Sequence, residues 1–498
     1  MTDSHTAQQS VSPTTSASAQ HPLGSLGEDW REAAIPDGYR VALTGDIIIA
    51  QPVSRMIQRR SPDLADLLKR ADLTVGNYEG SIIDLNDFDG YPAALSGFSW
   101  LTAPPQVAPD LARLGFDMLS RANNHATDWG VAGLASTDRH LREAGLAIAG
   151  TGSDLAGART PALFDGVQAR AGLVSFATTF EADSPAADPL GQAAGRPGVS
   201  PLHLSRVVMV SKRKLAVLRA IRDEQPPQSV PDVLRQIDER LGVVTLFGQR
   251  YVALPDSGSP SDGPMSSQTE TGERTVVTYQ PDKADIAGIM RGVRQAKQTT
   301  DFTVVVSHTH EPDNWTTETP AFLRSIVRKA FSEGADVFMT AGPHQLRGIE
   351  IIDGKPAFYS LGNFCFMDNT QAVCVRDEWE RPLWRLAPVA VPRFETSTEA
   401  EFFEWKRAVG AFGEEIWFES VVPLITYASN GRIRTIELHP IELGYVGRDA
   451  DRGIPSLPTL SQSLDILERL RQLSEPLGTD IVIDDQRGIG VIRIAADE

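Results

Sequence analysis

The chain has 498 residues, 41% hydrophobic and 22% charged, which is too long for one simple core and apolar enough to bury several, so roughly two to four structural units are expected. A net charge of -18 argues against general nucleic-acid binding, because phosphate contacts need clustered Lys and Arg. No stretch approaches the ~18 consecutive apolar residues of a membrane span, and residues 1–36 lack a basic segment followed by an apolar one; a soluble, cytoplasmic protein with no membrane partner is expected.

Residues 1–36, rich in Ser, Thr, Gln and Ala, have little to bury and read as a disordered tail. From Tyr39 the pattern becomes regular. YRVALTGDIII reads as a buried strand, SPDLADLLKRA as a helix, and DLTVGNYEG as a strand ending at Gly76. VAPDLARLGF follows as helix, FDMLSRANNH as strand and loop, VAGLASTDRHLREAG as an amphipathic helix stopped by Gly145, and LAIAGTG as strand. Strands alternating with helices imply layered α/β architecture with chemistry at strand ends.

After RAGLVSFA the rhythm breaks. Residues from about 183 to 300 hold a Pro/Gly-rich stretch, two helices at roughly 210–241 beginning near the basic run Lys212, Arg213, Lys214, and the low-complexity loop PDSGSPSDGPMSSQTETGE. This reads as an insertion, a lid or cap on the core. The core resumes with the strand TDFTVVVSHTH, the helix AFLRSIVRKAFSEG, the strand ADVFMTAGPH, and two strands joined by the turn IDGK. Asn430-Gly431 marks a second hairpin, which closes a main domain spanning 37–445. Residues 446–498 read as an extension with one helix and strands near DIVID and GVIRIA. Cys365 and Cys374 are too few for a disulfide framework and lack paired zinc-site spacing.

Five polar clusters fall at predicted strand ends: Gly45-Asp46; Gly76 to Glu79; Asn123-Asn124-His125 with Asp128; His308 to Glu311; and Gly342-Pro343-His344. Four of the nine histidines sit in these segments. Parallel strands bring such ends to one edge. Oxygen donors mixed with imidazoles suit Mn, Fe or Zn better than Ca or a thiolate-bound metal. The inventory is that of a centre for one or two divalent ions, in which a bridging carboxylate is joined by ligands from several loops. No G-x-S-x-G elbow and no GxxxxGK[ST] pattern occurs, which argues against a serine hydrolase and against ATP-driven ligation by this chain.

TGDIII, GNYEGSI, the run from ANNHATDWG to AIAGTG, VVVSHTHE, and GADVFMTAGPHQLRGIEIIDGKPAFYSLGNF together resemble the CapA family. That family is associated with poly-γ-glutamate capsule synthesis and built on a calcineurin-like metallophosphatase fold. The resemblance spans about residues 39–180 and 300–445 and implies a metallophosphatase-like β-sandwich flanked by helices. It further implies that Asp46 binds metal, that Glu79 bridges metals, that Asn124 is the amide ligand, and that His308 and His344 are later metal ligands. His125 would meet the leaving group or oxyanion, with Asp128 holding its useful tautomer.

Ile48 stands where ordinary metallophosphatases carry a histidine, as is usual for this family. Ala341, in TAGPH, replaces a further histidine of many relatives. His310, two residues past His308 on an extended strand, would share its face and supply the missing imidazole. Arg121 and Arg347 are suited to bidentate contact with a substrate carboxylate or phosphate, or pair with nearby acids. Asn363 contacts substrate or braces its loop.

The resemblance implies a metal-dependent hydrolase or transferase acting on an anionic small-molecule or oligomeric substrate, a γ-glutamyl amide or a phosphoester. A metallophosphoesterase on a small phosphoester is one alternative. A non-catalytic binding or assembly subunit in polyglutamate biosynthesis is the other, prompted by Ala341.

Overall fold

The structure is a computed structural model that describes residues 32–93, 99–226, 231–254, 266–268, 274–367, 371, 374–410, 413–429 and 431–494. Most of the expected tail, most of the low-complexity loop and Asn430 of the second hairpin lie outside these residues. Among the described residues, two sheets form the frame. In the first, nine-stranded sheet, Arg40–Ile48, Leu73–Tyr78, Met118–Ser120 and Ala147–Ala149 run parallel and adjacent, the last at the sheet's edge. The six-stranded sheet is built around Arg170–Ala177, Phe302–His308 and Val337–Ala341, also parallel.

These strands are nearly continuous apolar runs because both of their faces are covered. Alternate residues divide the load. Val41, Leu43, Leu73, Val75 and Met118 of the first sheet meet Leu173, Phe302, Val304, Val306 and Met339 of the second in one core. On the outer side of the first sheet, Ala42 and Ile47 pack with Leu64, Leu67, Leu111 and Leu114 from the helices Pro62–Lys69 and Val107–Leu114. On the outer side of the second, Val174, Phe176, Val305 and Phe338 pack with the helices Lys283–Thr299 and Ala321–Ser332. In Ala321–Ser332 the buried positions 322, 323, 326, 327, 330 and 331 follow helical spacing. Each fully buried Leu, Val or Phe contributes about 1.5–3 kcal/mol, so the order helix, sheet, sheet, helix follows from two strand periodicities and two helical stripes. This is the layered α/β arrangement expected.

The strand after Asp72 runs to Tyr78 rather than stopping at Gly76, because Asn77 and Tyr78 continue the ladder with Asp46 and Ile47. Within the range expected for the insertion, a separate five-stranded sheet occupies parts of 204–281 with the helices Lys212–Asp223 and Asp232–Leu241. The helix Lys283–Thr299 that follows packs on the second main sheet. In the C-terminal range, Val482–Asp484 and Ile489–Ile492 extend the first sheet, and Ile466, Leu467 and Leu470 of the helix Leu460–Ser474 join the inter-sheet core. Both cysteines are buried and free. No helix among the described residues is long and apolar enough to cross a membrane.

Candidate metal centre

The carboxyl ends of the parallel strands of both sheets converge. From the first sheet come Asp46, within Arg40–Ile48, then Glu79 just after Leu73–Tyr78, and the Asn123–Asp128 turn after Met118–Ser120. From the second come His308 at the end of its strand, His310, and His344 three residues past Val337–Ala341. The expected single sheet edge is therefore two edges facing each other, one on each side of the sandwich.

Asp46, Glu79, His308 and His344 are buried. One oxygen of Asp46 accepts from Asn77 Nδ2 at 2.8 Å and the other from the Gly342 amide at 2.9 Å. Asp46 is pinned from both sheets. Glu79 Oε1 stands 3.7 Å from His308 Nε2 and 3.9 Å from His125 Nε2, at the middle of the imidazoles. Two donor groups result, Asp46 with Glu79 and His308, and Glu79 with His310 and His344; within each, the ligand atoms lie within 4.8 Å of one another. Glu79 belongs to both, the position of a bridging carboxylate.

His308 and His310 meet at 2.9 Å between their Nε2 atoms. Burial first, and then the surrounding imidazoles, hold both well below the usual histidine range, so they are kept in the neutral form that a metal requires. His344 sits at a left-handed φ of 57°; its Nδ1 donates to Asn363 Oδ1 at 2.9 Å, which leaves Nε2 for the cluster. The Trp417 ring stacks on it at 5.4 Å. Asn124 Oδ1 is buried without a hydrogen-bond partner among the described residues, a costly state for an amide oxygen unless a ligand satisfies it. That orphaned oxygen and the carboxylate–imidazole set fit a divalent cation.

His125 Nδ1 donates to Asp128 Oδ2 at 2.7 Å, and the Leu101 amide donates to the same oxygen at 2.9 Å. The imidazole is thereby turned so that Nε2 faces Glu79. Burial pushes the Asp128 carboxyl up to about 6, opposed by His125.

Arg121, Arg347 and Asn363, each read from sequence as either a substrate contact or a structural residue, make internal bonds. Arg121 is fully buried and donates to the carbonyls of Tyr78 and Gly80 at 3.1 and 2.9 Å, with Asp138 at 3.4 Å. It clamps the chain that carries Glu79. Arg347, also fully buried, donates to the carbonyls of Glu311, Thr316 and Asp313; burial lowers its guanidinium to about 10. Asn363 bonds His344 through both ends of its amide and donates to the Trp417 carbonyl as well, so it braces its loop. Which main-chain carbonyls the two arginines meet depends on how distant segments pack, which sequence does not display.

Sequence reading assigned no role to Asn77, which joins Asp46 to His308 Nδ1 at 3.3 Å, nor to Trp417. Asn77 lies inside a strand-end cluster and could have been singled out; Trp417 is brought in from more than 70 residues beyond His344 and carries no local signal. Asn123 donates to the Tyr78 carbonyl at 2.7 Å and ties its turn to the neighbouring strand.

A family model described as Bacterial capsule synthesis protein PGA_cap matches residues 40–368. The uncharacterized protein y4sH of Sinorhizobium fredii (strain NBRC 101917 / NGR234) is 37% identical over 463 residues, covering 92% of this chain and 94% of the relative. Capsule biosynthesis protein CapA of Bacillus anthracis is 29% identical over 134 residues, 25% of this chain and 32% of that protein. PGA biosynthesis protein CapA of Bacillus subtilis (strain 168) is 21% identical over 336 residues, 66% and 64% of the two chains.

Proposed function

The chain belongs to the bacterial capsule synthesis protein family PGA_cap, and from that premise we propose that it is a metal-dependent hydrolase or transferase acting on a γ-glutamyl amide or a phosphoester. The observation that carries this reading is the position of Glu79, shared by two donor groups and facing the Nε2 of a histidine already oriented by a carboxylate.

Asp46, Glu79, Asn124, His308, His310 and His344 would hold one or two divalent ions, Mn, Fe or Zn by the donor chemistry. Ions bound there supply Lewis acidity and a more acidic water. The rest falls to the chain. His125, protonated on Nε2, gives a proton to the departing oxygen or nitrogen, and Asp128 stabilises the imidazolium form and fixes the ring plane. Burial of the whole group keeps bulk water from screening these charges. His310 stands in for the imidazole that Ala341 lacks.

Cleavage of γ-glutamyl oligomers and of a generic aryl phosphate, assayed with and without Mn, Fe or Zn, tests the reading. Metal-dependent turnover of at least one substrate is expected, lowered by about 10²–10⁴-fold in His125→Ala. Turnover that survives this substitution unchanged would remove His125 from the chemistry, whereas no metal-dependent turnover of either substrate by the wild type would favour a binding or assembly role.

A further inference from the structure

A cavity of about 440 Å³ opens beside His310. One wall is the loop after Phe302–His308, with Glu311, Asp313 and Trp315; the other comes from the inserted sheet, with Leu204, Arg206 and Tyr279. Strand register explains that second wall. Arg206 lies directly opposite Tyr279 on the antiparallel neighbour, and Leu204 is two residues from Arg206, so all three side chains share one face.

Arg206 is exposed and donates to Gln249 Oε1, with the Tyr279 hydroxyl also within its hydrogen-bonding reach. Both partners are neutral. Among the described residues no carboxylate pairs with this guanidinium, although the chain carries 65 acidic residues against 47 basic ones. A planar cation with only neutral partners on a cavity wall suits a planar monoanion, which it can grip through two N–H groups. Glu311 and Asp313 on the facing wall accept N–H donors and oppose two charges gathered on one group, as in phosphate, more than a single carboxylate group. A volume of this size admits a small molecule or the end of a chain.

We propose that the insertion forms the recognition wall of the site, where Arg206, seconded by Tyr279, binds a carboxylate of a small ligand whose reacting bond lies toward His310. The placement of the reacting bond rests on the metal-centre reading above; carboxylate binding at Arg206 does not.

Calorimetric titration of the full-length, EDTA-treated protein with glutarate and with inorganic phosphate tests the binding itself. The wild type should take glutarate in preference to phosphate. Arg206→Ala should weaken glutarate by about tenfold or more, Tyr279→Phe by less, and Arg206→Lys should fall between the wild type and Arg206→Ala; circular dichroism should show all three folded. Glutarate that fails to bind the wild type, glutarate binding unchanged in Arg206→Ala, or an Arg206-dependent preference for phosphate would each overturn the proposal. Paramagnetic broadening of glutarate proton signals by added Mn²⁺ tests its placement. Broadening that Arg206→Ala abolishes supports a carboxylate held next to the centre. Binding without broadening in protein that has taken up Mn²⁺ refutes that placement, whereas failure to take up any of Mn²⁺, Fe²⁺ and Zn²⁺ refutes the metal reading and leaves the carboxylate site standing.

Discussion

His308 and His310 face each other across 2.9 Å between Nε2 atoms, although the strand that carries the first ends before the second begins. Beyond that end the pairing continues through the Thr309 amide, which donates to the Ala341 carbonyl at 2.9 Å. The amide of His310 donates to Thr179 Oγ1 at 3.1 Å, and Arg347 holds the carbonyls of the loop that follows. Two neutral imidazoles at this spacing are close to the separation of neighbouring ligands on one ion, given metal–nitrogen bonds of about 2.0–2.1 Å.

His310→Ala should consequently lower the metal content per chain. Elemental analysis of purified wild type, His310→Ala and His344→Ala is the measurement. A metal count in His310→Ala equal to that of the wild type would sink the idea that His310 compensates for Ala341.

Asp128→Asn should keep the metal count and lower kcat by about 10–100-fold, since the partner that orients His125 loses its charge but little of its shape. The pH profile separates orientation from folding. The Asp128 carboxyl lies near 6, so it is ionised above that pH, and wild-type turnover should fall as pH drops below about 6. This acid limb should be missing or displaced in Asp128→Asn; an identical limb in both proteins would assign it to another group.

Gly45→Ala should disturb the centre without touching a ligand. A β-carbon on Gly45 would lie 1.8 Å from the Gly362 carbonyl oxygen, the group to which the Asp46 amide donates at 3.0 Å. The two segments must part, and Asp46 moves with them. Overpacking of this kind costs about 1–3 kcal/mol, and weaker metal binding with a lower Tm is expected. Wild-type metal affinity in Gly45→Ala would show that the close approach is not what positions Asp46.

Asp117 gives a pH dependence of stability away from the centre. Its carboxylate accepts from the Thr74 amide at 2.8 Å, yet burial outweighs that bond and raises the group to about 6. In the unfolded chain it returns to ~3.9. Its folded value is thus the higher one, so the favourable contribution is fully present below ~pH 3.9 and is lost as pH rises through about 6. The Tm of Asp117→Asn relative to wild type should rise across that window and level off above it. A constant difference from pH 4 to pH 7 would contradict the assignment.

Much of the centre was legible in the chain because its signals are local. A parallel strand buried on both faces is an apolar run, and the polar residues that end it stand out against it: Asp46, Glu79, Asn124, His125, His308 and His344 were all found in this way. Family resemblance supplied their expected roles, and the spacing between His125 and Asp128 already set them on one turn. The arginines stayed open in the sequence because a guanidinium next to a motif looks alike whether it faces ligand or main-chain carbonyls, and only the folded backbone shows which carbonyls it meets.

By itself, then, the sequence determined the alternation of strands and helices, the ends at which chemistry collects, and the family, since each depends on residues close together in the chain. Tertiary structure decided what depends on distant segments meeting. It set two sheet edges face to face around Glu79, brought Trp417 onto His344, bonded Arg121, Arg347 and Asn363 to main-chain carbonyls, and folded the inserted strand with Arg206 back to within one cavity of His310. Local periodicity specifies which face of an element is buried; which other element covers that face, and which side chain then reaches the gap, is settled only when the layers pack.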